Sequence, residues 1–152
     1  MQDWHDHLRE YISFVRDRYG ATDDDIMRAV LALPIPVEVF ATELTPLQAA
    51  AHFLSQHRAL DANGIGRVLG RTTAETERLL SVKAPKLTAS GSHHIDARLF
   101  SERSRSASEH VVFTLETQGL RVPEIARLLN KAEPTVWTLH YRIAKKTTGG
   151  DE

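Results

Sequence analysis

Hydrophobic positions near the start of the chain recur every three or four residues, which is the period of one face of an α-helix. In residues 3–19 this apolar stripe consists of Trp4, Leu8, Tyr11, Ile12, Val15 and Tyr19. Gly20 ends the helix, and Thr22 is predicted to cap a second helix that begins with three aspartates. Residues 1–33 are therefore predicted to form a helical pair. The wide stripe of its first helix favours a homodimer or a protein partner.

Beyond this pair the pattern changes twice. Two prolines in residues 33–40 (LPIPVEVF) predict an extended segment. Three helices are then predicted, because Thr45, Asp61 and Thr72 stand at N-cap positions and Glu75 completes a capping box with Thr72.

The second half of the chain repeats the first at a spacing of 60 residues. The matching apolar positions are Phe40 and Phe100, Leu60 and Leu120, Ile65 and Ile125, and Leu69 and Leu129. Gly66 matches Ala126, and a small residue there predicts that the next helix passes close by. The predicted segments are one unit at 34–86, a polar linker at 87–94, a second unit at 95–146 and a disordered tail at 147–152.

Each unit contains a short helix, a turn of three to four residues and a helix rich in polar and basic residues. That is the anatomy of a helix-turn-helix. The stretch IARLLNKAEPTVWTLHYRIAKK resembles the sigma-factor region 4 class of helix-turn-helix proteins, in its Ile-Ala, Leu-Leu, polar turn, Thr-Val and Arg-x-Ala-Lys pattern. The resemblance covers about 45 residues of each unit and is closer in the second. It implies an all-α fold, in which the second helix of each motif enters the major groove and the first braces it.

This geometry predicts a DNA-binding surface on the turn and polar face of each second helix. The candidates in the second unit are Lys131, Thr135, Thr138, His140, Arg142, Lys145 and Lys146. Those in the first unit are Arg71, Thr72, Thr73, Thr76, Arg78 and Lys83. Glu75 and Glu77 lie among the latter and would repel phosphates, so the sequence leaves open whether the first unit contacts DNA or only packs. Trp137 and Tyr141 are expected either to pack together or to flank the groove.

Charge is distributed unevenly around a net value of −1. Residues 1–86 carry 10 Lys and Arg against 12 Asp and Glu, whereas residues 98–146 carry 9 against 5. The basic excess in the second half suits contact with phosphates, but the overall balance predicts weak non-specific binding.

Several classes of protein are disfavoured. The chain has no cysteine, and its eight histidines show no metal-ligand spacing. Because no phosphate-binding glycine loop or nucleophile motif occurs either, we expect neither an enzyme nor a metal or cofactor. The absence of a signal segment and of a long apolar run predicts a cytoplasmic protein without a membrane partner.

Two main functional hypotheses remain. The leading one is a sequence-specific double-stranded DNA-binding protein that regulates transcription. The alternative is a protein-interaction or assembly module built on a degenerate helix-turn-helix scaffold. A DNA-packaging or partition adaptor is a third, and shares the DNA contact.

Overall fold

The computed structural model describes residues 4–22 and 32–149, and the chain is mostly helical with one very small sheet. It divides into two compact units, residues 1–32 and 33–152. None of the described helices is long and apolar enough to span a membrane. In chain order the described elements are α1 (Trp4–Tyr19), β1 (Pro34–Pro36), the 3₁₀ helix η1 (Val37–Ala41), α2 (Pro46–Arg58), α3 (Ala62–Leu69), α4 (Thr73–Ser81), β2 (His94–Asp96), the 3₁₀ helix η2 (Ala97–Ser101), α5 (Ala107–Thr117), α6 (Val122–Leu129) and α7 (Glu133–Gly149).

The N-terminal unit contributes one described helix, α1, which confirms the first of the two predicted helices. Leu8, Ile12 and Val15 on its apolar stripe are half-buried, whereas Tyr11 and Tyr19 are exposed. The second predicted helix falls on residues 23–31, and the Trp4 side chain also lies outside the described part of the chain.

The helix starts of the first repeat follow the predicted caps. The Thr45 hydroxyl accepts a hydrogen bond from the Gln48 N–H, and Asp61 caps α3 through the Gly64 N–H at 2.8 Å. Thr72 and Glu75 form the predicted capping box at the start of α4. Each cap satisfies backbone donors that would otherwise lack partners at a helix start.

The two turns inside the helix-turn-helix motifs use the same backbone conformation. Gly70 closes α3 at φ +67° and Asn130 closes α6 at φ +52°, both in the left-handed region. These positions are 60 residues apart, so the duplication extends to the backbone. A Cβ on Gly66 would lie 2.6 Å from the Arg71 carbonyl oxygen in the turn and 3.0 Å from the Thr76 Oγ1 on α4, which confirms that the next helix passes close by.

An internal two-fold axis relates the repeats at the small sheet. β1 and β2 pair antiparallel with Ile35 opposite Ile95, and these two residues are equivalent in the repeat. Antiparallel pairing centred on equivalent residues is what two-fold symmetry produces. Two equivalent hydrogen bonds of 2.9 Å flank it, from the Val37 N–H to the His93 carbonyl and from the Ala97 N–H to the Leu33 carbonyl.

The repeats exchange their leading segments across this axis. η1 of the first repeat packs on α6 of the second, and η2 packs on α3. Between them the equivalent rings of Phe40 and Phe100 meet at a centroid distance of 5.9 Å. The prediction of two units separated by a linker is therefore corrected, because residues 33–149 share one core.

Three predicted segment boundaries also change. Residues 37–40 of the predicted extended segment belong to η1 instead. The linker packs on α2, since Leu87 is buried and its N–H donates to Gln56 Oε1 at 2.8 Å, and it ends where β2 begins at His94. The prediction of a disordered tail is wrong for residues 147–149, because α7 continues to Gly149. Within this last turn the Thr147 hydroxyl donates to the Ile143 carbonyl at 2.9 Å.

Asp96 joins the two repeats next to the sheet. Its Oδ1 accepts hydrogen bonds from the Leu33 N–H at 3.3 Å and from the Arg98 N–H at 3.1 Å. Burial acts to raise the pKa of Asp96, but the bonds from Arg98 and Leu33 outweigh it and hold that pKa below its usual value. The ionised carboxylate therefore supports this junction.

Candidate nucleic-acid interface

The second helix-turn-helix consists of α6, the turn at Asn130 and α7. Val136 and Ile143 of α7 are buried and Leu139 is half-buried, which confirms the predicted core face. On the outer side the exposed residues recur at three- and four-residue spacing and form one surface, here called the polar stripe: Thr135, Thr138, Arg142 and Lys145. The Thr138 hydroxyl donates to the Pro134 carbonyl at 2.9 Å, and its oxygen can still accept a hydrogen bond.

Two candidates on α7 are held by carboxylates of α5. His140 Nδ1 lies 2.9 Å from Glu116 Oε1. Lys146 Nζ lies 2.9 Å from Glu109 Oε2, and the Glu109 side chain is only 5% exposed. Since a buried carboxylate needs a partner, Lys146 has a structural task that Lys145 does not share.

This difference between adjacent lysines leads to a prediction. Lys146→Met is expected to lower the free energy of unfolding by about 1–3 kcal/mol, because it leaves the buried Glu109 carboxylate without its cation. Lys145→Met, the matched control on the exposed face, should stay within about 0.5 kcal/mol. Urea denaturation of both variants measures the difference, and equal stabilities would show that the ion pair contributes nothing.

In the first unit, the side chains of two predicted contacts are hydrogen-bonded to backbone carbonyls of the protein itself. Thr76 is 0% exposed and its hydroxyl donates to the Thr72 carbonyl at 2.9 Å, so the prediction that Thr76 contacts DNA is wrong. Its equivalent in the second repeat is the core residue Val136, which is the physical reason for its burial.

The Arg71 guanidinium is hydrogen-bonded to backbone carbonyls. Its Nη1 donates to Leu69 O at 2.8 Å and to Phe100 O at 3.3 Å. Burial and the neighbouring Arg103 lower the pKa of Arg71, while Glu75 opposes them. The guanidinium therefore ties the first turn to η2, and Arg71 is half-buried.

The remaining candidates of the first unit are exposed. Thr72 and Thr73 lie at the start of α4 and Arg78 lies on its outer side. Lys83 follows the end of the helix at Ser81. Because α4 is only 9 residues long and α7 has 17, the first unit presents a much smaller surface than the second.

One basic pair was missed at the sequence level. Arg67 on α3 and Arg127 on α6 are equivalent in the repeat and both are exposed. Neither side chain makes a hydrogen bond or ion pair within residues 4–22 and 32–149. Arg127 and Lys131 line one open groove of about 590 Å³ beside the second turn. Retention of an exposed arginine in both copies is the signal that could have identified them.

Trp137 and Tyr141 form an exposed stack next to the polar stripe. Their ring centroids are 5.8 Å apart with planes inclined at 28°, and their exposed fractions are 40% and 65%. They pack against each other, as one of the two predicted alternatives required, but they do so on the surface.

Comparison with known protein families, curated proteins and solved structures finds no match to this chain. Within the described part of the chain, no group of three or more His, Asp or Glu side chains could hold a metal ion. The functional argument therefore depends on the geometry of the two helix-turn-helix units.

Proposed function

We propose that the protein binds double-stranded DNA in a sequence-specific manner and acts as a transcriptional regulator. The observation that carries this proposal is the internal two-fold relation between two helix-turn-helix units, centred on Ile35 and Ile95. Helix-turn-helix dimers use the same symmetry to read two half-sites of a duplex. In this chain the duplication replaces the dimer.

The polar stripe of α7 is the proposed reading surface. Thr135 and Thr138 lie in the N-terminal part of the helix, where side chains of this motif approach base edges. Arg142 and Lys145 lie further along, and their exposed charges suit phosphates. We assign backbone contacts also to Arg127 and Lys131, which share the neighbouring groove.

The first unit is proposed to make fewer contacts. Thr73, Arg78 and Lys83 are available there, but the exposed Glu77 lies between them and repels phosphates. We therefore expect an asymmetric target, with one strong half-site read by α7 and one weak half-site beneath α4.

A matched pair of double variants tests the proposal. Wild-type protein is first used to select binding sites from a random duplex pool at about 50 and 200 mM salt. Arg142→Ala with Lys145→Ala is expected to weaken binding to the selected site by about tenfold to a hundredfold and to reduce the salt slope by about two. The control, Arg9→Ala with Arg18→Ala, removes the same charge from the exposed face of α1.

Binding that responds to the α7 pair and not to the α1 pair supports reading by the polar stripe. Failure to enrich any sequence at the lower salt, or equal losses in the two double variants, would contradict it. In the second case net charge alone would account for the binding.

The exposed Trp137–Tyr141 stack favours a second candidate, a protein-interaction module. Stacked surface aromatics are typical anchors of protein interfaces. In that case Trp137→Ala with Tyr141→Ala abolishes partner binding, whereas the Arg142 and Lys145 variant leaves it intact. Affinity for the selected duplex separates the hypotheses. DNA reading by the polar stripe requires that the Arg142 and Lys145 variant lose more of this affinity than the Trp137 and Tyr141 variant does.

A further inference from the structure

A partly enclosed cavity of about 160 Å³ lies where η1 and the start of α2 meet the second helix-turn-helix. Most of its lining is apolar and comes from both repeats: Phe40, Pro46, Val111, Leu129, Val136 and Leu139. An apolar cavity of about 150 Å³ in a protein core stays dry and takes up benzene. This cavity therefore has room for a single six-membered ring.

Hydroxyl and ammonium groups, which can all donate hydrogen bonds, complete the lining. Ser108 is the second residue of α5 and Thr135 is the third residue of α7, so two helix starts with their partial positive charge border the cavity. Lys131 is exposed, and its ammonium group makes no hydrogen bond or ion pair with the described residues. None of the residues that line the cavity has a carboxylate side chain.

The first repeat offers an internal comparison. There Arg71 occupies the position of Lys131, but its guanidinium bonds to backbone carbonyls, including that of Phe100. Glu75 stands at the position of Thr135 and places a carboxylate there. The equivalent region of the first repeat thus has its cation in use and an acid beside it, whereas the second has a free cation and a hydroxyl.

We propose that this cavity is a binding site for a small aromatic carboxylate. The ring lies among the apolar side chains, and the carboxylate is held at the opening by the Lys131 ammonium and the Thr135 and Ser108 hydroxyls. A charge-assisted contact at the rim, combined with an apolar interior, selects an anion with a flat hydrophobic body. This site goes beyond the proposed DNA binding and does not depend on it.

Benzoate is the probe for the test, with benzyl alcohol as its neutral counterpart. In ¹H–¹⁵N correlation spectra of the protein alone, benzoate is expected to shift the amides of residues 131–133, 135–139 and 108–111 saturably, with a Kd on the order of 0.1–1 mM. Benzyl alcohol should bind about tenfold more weakly. Lys131→Met should weaken benzoate about tenfold and leave benzyl alcohol unchanged, while Lys145→Met serves as the matched control and leaves both unchanged.

A second variant tests the interior. Leu139→Trp fills the ring site and should abolish saturable shifts from both probes, with circular dichroism checking that the variant is folded. The proposal is overturned by the absence of saturable shifts in the wild type up to about 10 mM benzoate, a limit that corresponds to negligible affinity. Equal losses in Lys131→Met and Lys145→Met, or equal binding of benzyl alcohol and benzoate, overturn it as well.

Discussion

Phe100→Ala is expected to lower the free energy of unfolding by about 3–5 kcal/mol. The Phe100 side chain is 1% exposed, and its ring meets those of Phe40 at 5.9 Å and His110 at 6.2 Å. Alanine would leave a cavity at the contact between the repeats, so both repeats should lose support together. Urea denaturation followed by circular dichroism should show a lower midpoint with little change in slope.

Leu99→Ala is the control for this substitution, because Leu99 is adjacent in sequence and 38% exposed. It should cost less than about 1 kcal/mol. The double variant of Phe40 and Phe100 should cost less than the sum of the single variants by about 0.5–1.5 kcal/mol, since each ring is the other's neighbour. Two separate transitions for residues 33–149, or a loss below about 1 kcal/mol in Phe100→Ala, would mean that the repeats are held together elsewhere.

Local chemistry made the helix starts predictable. The hydroxyl of Thr45 and the pair of Thr72 and Glu75 act within one turn of chain, so their caps could be predicted without knowledge of the fold. The apolar period of α7 identified Val136 and Ile143 as core for the same reason. These features need only neighbouring residues.

The exchange of η1 and η2 needed long-range information. Nothing near Phe40 indicates that it packs in the opposite repeat, because the pairing joins residues 60 apart. The burial of Thr76 could have been predicted from the sequence, since Thr76 is equivalent in the repeat to Val136, a residue already predicted to face the core. Its polar side chain concealed this, because a threonine at the start of a helix also suits an exposed site.

The symmetry of the two repeats is strict at the axis and is lost where their last helices end. Ile35 and Ile95 pair centrally, whereas α4 stops at Ser81 and α7 continues to Gly149. The chain between the repeats has to return from α4 to β2, and Pro85 lies on that path with its carbonyl bonded to Gln56 Nε2 at 2.9 Å. We therefore expect the extension of α7 to make the proposed phosphate contacts, through Arg142 and Lys145, for which α4 is too short.

Gly70→Ala is the second large prediction, with an expected loss of about 2–4 kcal/mol in the free energy of unfolding. Gly70 has φ +67°, a conformation that costs an alanine roughly 1–2 kcal/mol. In addition, its new Cβ would lie 2.9 Å from both Cα and Cβ of Ser101 on η2, so the exchanged segment would have to move. Because the Ser101 contact involves backbone, a rotamer change cannot relieve it.

Gly119→Ala separates the two contributions. Gly119 also has a positive φ, +92°, but nothing lies within 4 Å of the position its Cβ would take. Its substitution should cost only the backbone strain, about 1–2 kcal/mol, so the excess loss in Gly70→Ala measures how tightly η2 closes on the first turn. Equal losses in the two variants would show that Ser101 yields freely. The contacts of Ser101 and Arg71 with the first turn would then contribute little to holding η2 in place.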